Sequence, residues 1–165
     1  MPSKCFARAL LFAAAALLCS APTVFAQISG NSPSAVSALS IPQSQLIQAA
    51  DLNRMLQAAG ADKPLVLQVG SRIFYAESHI AGSIFAGPAS QPAGLQLLQS
   101  KVASVNKKKL IVLYCGCCPW GRCPNVGPAY KYLYDQGFTN VKVLYMANNF
   151  GDDWVAKGYK VEHGQ

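Results

Sequence analysis

The apolar positions of this chain follow two rhythms in turn. Leu65-Val66-Leu67-Gln68-Val69 and Leu110-Ile111-Val112-Leu113-Tyr114 are nearly continuous apolar runs, as expected of strands covered on both faces. Residues 141–146 read as another strand, and Leu46-Ile47 as a short edge strand. Between these runs the spacing is helical. Leu52, Met55 and Leu56 predict a helix over 49–59 that stops at Gly60. Leu95, Leu97, Leu98 and Val102 predict one over 92–105. Ala129, Tyr132 and Leu133 predict a third over 125–135, with Asn125 as its N-cap, Pro128 in its first turn and Gly137-Phe138 at its end. Residues 152–157 predict a last short helix, with Asp152 and Asp153 at its positive end and Gly158 as its stop. Residues 70–78 read as irregular or briefly helical, and 79–85 as a turn into a short strand. Strands alternating with helices imply an α/β domain around a parallel sheet. In such sheets, sites form beyond the carboxyl ends of the strands.

One strand runs straight into unusual chemistry. After Tyr114 the chain reads Cys-Gly-Cys-Cys-Pro-Trp-Gly-Arg-Cys-Pro-Asn, which puts Cys115, Cys117, Cys118 and Cys123 within nine positions. A secreted disulfide scaffold would scatter its cysteines to staple distant segments. Clustering points instead to reactive thiols, a metal or a local disulfide.

The first 26 residues change the setting. Lys4 and Arg8 precede an apolar stretch over 9–18, too short to span a bilayer, and Val24-Phe25-Ala26 resembles a cleavage site. A signal peptide over 1–26 is expected. Cleavage after Ala26 is preferred to lipidation at Cys19, because Leu18 is a poor residue to precede a lipidated cysteine. Residues 27–43, rich in Ser, Ala, Gly and Pro, read as a flexible lead, and 44–165 as the domain. The leader removes Cys5 and Cys19, so every remaining cysteine is in the loop. Export, periplasmic or secreted, places these thiols in an oxidising compartment and leaves their redox state open. Without Lys4 and Arg8 the 14 basic residues become 12 against 7 acidic, a net +5 that is spread along the chain. The one basic cluster, Lys107-Lys108-Lys109, reads as a solvated turn, so nucleic-acid binding is not expected. No second apolar stretch is long enough to span a bilayer after cleavage, and a monomer is expected.

Four segments together resemble the rhodanese-like domain family, from about residue 46 to 162. Leu67-Gln68-Val69-Gly70, with Tyr75 and Ser78-His79-Ile80-Ala81-Gly82-Ser83, is similar to the family's Asp-Val-Arg, Glu-Tyr and Gly-His-Ile-Pro-Gly-Ala stretch. Residues 110–115 resemble its strand ending in Tyr-Cys. Gly137-Phe138-Thr139-Asn140-Val141 with Val143-Leu144 resembles its Gly-Phe-x-x-Val-x-x-Leu. Trp154, Gly158-Tyr159 and Val161-Glu162 resemble its closing Trp-x-x-x-Gly-Tyr-x-Val-Glu. The resemblance implies a three-layer fold, a mostly parallel central sheet flanked by helices. It also implies a sulfurtransferase whose loop cysteine takes a sulfane sulfur as a persulfide and passes it to a thiol, with no cofactor. A small sulfur-donor anion such as thiosulfate and a thiol acceptor are the implied partners. Gln68 and Gly70 depart from the family's Asp and Arg. The loop is also enlarged: six residues separate Cys115 from Arg122, where the family has four, and counting from Cys117 restores four.

Position at the strand end favours Cys115 as the nucleophile, and loop spacing favours Cys117; Cys115 is preferred, with Cys117 the alternative. Backbone N–H groups and the following helix start are expected to stabilise the thiolate. Gly116, Cys117, Cys118, Gly121 and Arg122 are the expected substrate-binding residues. The two glycines let the backbone curl, and Arg122 either holds the anion or faces solvent. Cys117, Cys118 and Cys123 are candidates for a loop disulfide or for resolving thiols. No metal is expected. Three alternatives stay open. Cys115 and Cys118 form a Cys-x-x-Cys suited to thiol-disulfide exchange. Four thiols invite Cu(I) or Zn(II), although the spacing fits no common zinc motif. A catalytically inactive, binding-only rhodanese-like domain is the last. His79 is expected to be structural, His163 solvated and Trp154 a core anchor. Trp120 is either a pocket wall or a cover for the cysteines.

Overall fold

The computed structural model describes residues 41–60 and 62–164. The expected signal peptide and most of the lead lie outside the described residues. The last three positions of the lead are described, and Ile41 is buried in the core.

The strands are β1 (Leu46–Ile47), β2 (Leu65–Gln68), β3 (His79–Ile80), β4 (Ile84–Phe85), β5 (Ile111–Tyr114), β6 (Val141–Leu144) and β7 (Val161–Glu162). The helices are α1 (Ala49–Gln57), α2 (Arg72–Glu77), α3 (Pro92–Val102), α4 (Val126–Asp135) and α5 (Phe150–Asp153). Five strands make one sheet in the order β1-β6-β5-β2-β4, with every pairing parallel. The edge strand expected at Leu46-Ile47 is there. The closing Val161-Glu162 pairs antiparallel with β3, His79 opposite Glu162.

Strand β5 lies in the middle of the sheet, and its side chains alternate between two cores as the two-residue period of a strand requires. Ile111 and Leu113 join Leu67, Val69, Leu98, Ala129, Leu133 and Val143 under α3 and α4. Val112 and Tyr114 join Leu52, Val66, Ile80, Leu144 and Trp154 under α1 and α5. Helices on both faces make the three layers. Cutting back a fully buried leucine such as Leu113 to alanine costs about 2–5 kcal/mol in such a core.

Two expectations need correction. The helix expected over 152–157 begins two residues earlier and is split. Asn149 caps α5 by accepting from Asp152 N–H at 3.0 Å, so the turn starts at Phe150. Trp154 then leaves helical geometry, at φ −126° and ψ −60°, and a separate 3-10 turn covers Val155–Lys157. Burial of the indole, whose Nε1–H donates to Lys160 O at 3.1 Å, accompanies the break. Asn125 stands at the start of α4 but its side chain makes no cap. It is committed elsewhere, to Ser90 and Cys115.

Candidate active site

The cysteine loop leaves β5 at its carboxyl end. Cys115 continues the inward face of Ile111 and Leu113 and is 1 % exposed. A Cβ on Gly70 would stand 2.7 Å from Cys115 O and 2.9 Å from Cys115 Sγ, so the sulfur lies in the space a side chain would need. Gln68 holds the backbone there: its Nε2 donates to Cys115 O at 2.9 Å and its Oε1 accepts from Gly70 N–H at 3.2 Å. Asn125 closes the other side. Its Oδ1 accepts from Ser90 N–H and Oγ–H, and its Nδ2 reaches Cys115 Sγ at 3.5 Å. Gly116 then takes φ +94°, a region that suits glycine, and the chain turns so that Cys117 emerges exposed.

The sulfurs converge. Cys115 Sγ is 3.3 Å from Cys117 Sγ, which is 3.1 Å from Cys118 Sγ. None of the four loop cysteines is in a disulfide. The hydrogen bonds that Cys115, Cys123 and Cys118 direct at Cys117 hold its pKa well below the usual thiol range. The donors move the other way. Cys115 is raised, chiefly because its proton is held against the Cys117 sulfur. Cys118 is pushed up to about 12, by burial first and then by its bond to Cys117. Cys123 is raised by donating to Cys115 and Cys117. The four thiols thus titrate as a group rather than singly, with the Cys117 pKa drawn down and those of its neighbours raised. Part of the loop backbone is committed elsewhere, since Trp120 N–H donates to Met146 O, Arg122 N–H to Pro119 O and Cys123 N–H to Trp120 O, while a backbone hydrogen bond at Cys117 adds to those of the thiols in lowering its pKa. The sulfurs of Cys115, Cys117 and Cys118 all lie within 4.8 Å of one another, near enough to share a soft metal ion.

Cys115, Gly116 and Cys117 form one wall of a cavity of about 650 Å³. Phe74, Phe150, Val155 and Val161 give it an apolar lining; Gln68, Glu77, Ser78, Tyr114, Asn149 and His163 are among its polar members. Among the described residues, no lysine or arginine lines the cavity. Ser78 Oγ has no hydrogen-bond partner among the described residues.

The family model for the rhodanese-like domain matches residues 48–146. The chain belongs to the rhodanese-like domain family. Solved structures agree in fold. The BH2092 protein from Bacillus halodurans superposes with a TM-score of 0.57 at 22% identity, covering 73% of this chain and 77% of that one. The Alr3790 protein from Anabaena sp. gives 0.55 at 22% identity, over 72% and 92%. A thiosulfate sulfurtransferase from Pseudomonas aeruginosa gives 0.54 at 21% identity, over 73% of this chain but only 20% of that one. A search of curated proteins finds no match.

Within this rhodanese-like domain, the residues expected from the sequence divide into two groups. Gly116 and Cys117 face the cavity beside Cys115. Cys118, Gly121, Arg122 and Cys123 do not line it. Arg122 is exposed on the 3-10 turn Trp120–Arg122. Trp120 packs on the core under α4 and near the Tyr145 ring, so it covers the loop rather than walling the cavity. His79 is buried, stacked on Tyr75 with ring centroids 3.8 Å apart, and its Nδ1 bonds Tyr75 O. His163 is exposed at the cavity rim, with Nδ1 against Glu77 O. Sequence reasoning missed Phe74, Glu77, Val155 and Val161, because nothing local marks them as neighbours of the loop. The roles of Gln68 and Gly70 had a signal: both depart from the family motif at the place where Cys115 now packs.

Proposed function

We propose that this rhodanese-like domain is an exported sulfurtransferase that carries sulfane sulfur as a persulfide on Cys117. The observation that carries the reading is the Cys117 sulfur, exposed at the cavity and 3.3 Å and 3.1 Å from the Cys115 and Cys118 sulfurs, whose hydrogen bonds favour its thiolate form. The sequence favoured Cys115 for its place at the strand end. Burial and a raised pKa make Cys115 the weaker nucleophile. The Cys117 thiolate attacks the sulfane sulfur of the donor, whose leaving group (sulfite, for thiosulfate) departs with the bonding pair. A thiolate acceptor then attacks the outer sulfur of the persulfide, and Cys117 leaves as the thiolate it began as. No general base is needed, because the resting cluster already holds the anion. Export rests on the leader pattern over 1–26, and amino-terminal sequencing of secreted material tests it.

The test is mass spectrometry of the reduced protein after incubation with thiosulfate or, in a parallel arm, with a small alkyl persulfide. A gain of one sulfur atom that is lost in Cys117→Ser supports the reading. A gain that survives in Cys117→Ser and disappears in Cys115→Ser would return the role to Cys115. No gain on any cysteine would leave a binding-only domain. A second reading, soft-metal binding, is favoured by the three convergent sulfurs; stoichiometric Cu(I) retained against a competing chelator supports it, and its absence removes it.

A further inference from the structure

The sulfur cluster holds more thiols than persulfide transfer uses. Cys115 is buried, makes no direct use of its place at the strand end in the transfer step, and points its sulfur at Cys117 from 3.3 Å. Its position is over-determined: Gly70 leaves room for it, Gln68 fixes its carbonyl, and Asn125 contacts its sulfur. Only Gly116 separates the two cysteines, and it takes φ +94° in the turn that holds their sulfurs 3.3 Å apart. Cys118 is as near to Cys117, at 3.1 Å. It is the adjacent residue, however, and a disulfide between neighbours closes a small ring that distorts the peptide between them. The Cys115–Cys117 pair avoids that distortion by having a glycine in the ring.

On the reading that Cys117 carries the persulfide, we infer that Cys115 is a resolving thiol that discharges it internally, releasing the sulfane sulfur as hydrosulfide and leaving a Cys115–Cys117 disulfide. The persulfide's outer sulfur has the cavity to occupy, while its inner sulfur keeps Cys115 as a neighbour. The Cys115 sulfur forms a bond to that inner sulfur. The persulfide's own sulfur–sulfur bond breaks, and the outer sulfur leaves with the bonding pair. The proton given up by Cys115 goes with it as hydrosulfide. The sulfane sulfur is reduced, and the two cysteine sulfurs are oxidised to the disulfide. An external dithiol then restores both thiols by exchange. The domain would thus couple two outcomes. When a thiol acceptor arrives first, sulfur is transferred. When none does, sulfide is released and the site closes until it is reduced.

The experiment uses reduced protein freed of reductant, loaded with thiosulfate, or with the alkyl persulfide in the parallel arm. Sulfide, remaining thiols and intact mass are measured together. Wild type is expected to release sulfide without added thiol in a single round, stoichiometric with the chain, to lose two thiols, and to give a peptide map linking Cys115 to Cys117. Added dithiothreitol should make release continuous. Cys115→Ser should keep the added sulfur as a stable persulfide and lose the single-round sulfide. Wild-type protein that holds its persulfide and releases no sulfide would overturn the inference, as would a disulfide mapping to Cys118 or Cys123. The wild-type map stands even if Cys115→Ser does not fold. Loading without sulfide release sinks the inference alone; no loading of wild type or variant by either donor sinks the sulfurtransferase reading and the inference with it.

Discussion

Tyr114 and Cys115 are neighbours in sequence and belong to opposite faces of the sheet, where they head two very different polar clusters. The Tyr114 hydroxyl accepts from Ile80 N–H at 3.1 Å and bonds Ser83 Oγ at 3.1 Å. Tyr75 O–H donates to Ser83 O at 2.7 Å, and His79 reaches Tyr75 O at 2.8 Å. These bonds are made by oxygen and nitrogen, and burial drives the Tyr114 pKa far above its usual value. That cluster is buried and fully hydrogen-bonded; it ties β3 and the following turn to the central strand. On the other face the partners are sulfurs, which are weak donors. They gather around the thiol of lowered pKa and open onto a cavity. The contrast shows how one strand end serves stability on one side and, on the proposed reading, chemistry on the other. The difference lies in whether the cluster is saturated.

The largest break in this comparison is Cys117→Ser, which should abolish sulfur loading, read by mass, with little change in unfolding because the side chain is exposed. Tyr114→Phe should do the reverse. It leaves the buried Ile80 N–H without its acceptor, so a loss of about 1–3 kcal/mol is expected in denaturant unfolding, with loading retained in the folded fraction. Gly70→Ala tests the join between the two regions. Its Cβ would stand within 3 Å of Cys115 O and Sγ, and such overpacking costs about 1–3 kcal/mol. Slower loading should accompany the loss, because Cys115 is displaced from Cys117.

The pH dependence sharpens the contrast further. A depressed pKa means that Cys117 is already ionised below the ordinary thiol pKa of about 8.5. Its alkylation by iodoacetamide should therefore be level from about pH 6 to 8 rather than rising tenfold per unit. A further rise belongs at alkaline pH, where thiols of raised pKa such as Cys118 ionise. A tenfold rise per unit across neutral pH would mean that the thiol cluster does not hold the charge. The smallest effect is expected at Glu77, an exposed carboxylate on the cavity. Glu77→Gln should speed loading from the thiosulfate dianion a few-fold and leave loading from an uncharged alkyl persulfide unchanged, with the difference fading in high salt.

The sequence made the sheet legible, because burial on both faces leaves apolar runs such as 65–69 and 110–114 that need no tertiary information to read. It also marked the loop, since four cysteines so close together are visible at any level of analysis. What it hid depends on distant partners. Asn125 has the side chain of a cap and the position of one, but Ser90, 35 residues away, takes its oxygen. The break at Trp154 accompanies burial of one indole, which the helical spacing of its neighbours does not record. The different settings of Cys115 and Cys117 were hidden for a related reason. The alternation of β5 carries Cys115 into the core, while the turn at Gly116 carries Cys117 to the surface, and a motif read as a line of letters shows neither direction. The cavity's apolar and acidic walls come from α2, the α5 region and the chain end, which only the fold brings to the loop.

The peptide between the two cysteines has an optical witness. Gly116 O accepts the N–H of Phe150 at 3.0 Å. The Phe150 ring lies within 11° of parallel to the buried indole of Trp154, with centroids 6.4 Å apart. Any reorientation of that peptide as the sulfurs join is therefore carried through one hydrogen bond to a fluorophore shielded from water. With Trp120, the other tryptophan, replaced by phenylalanine, the emission of Trp154 would follow the oxidation state of the loop in real time, and the molecule would serve as its own redox dye.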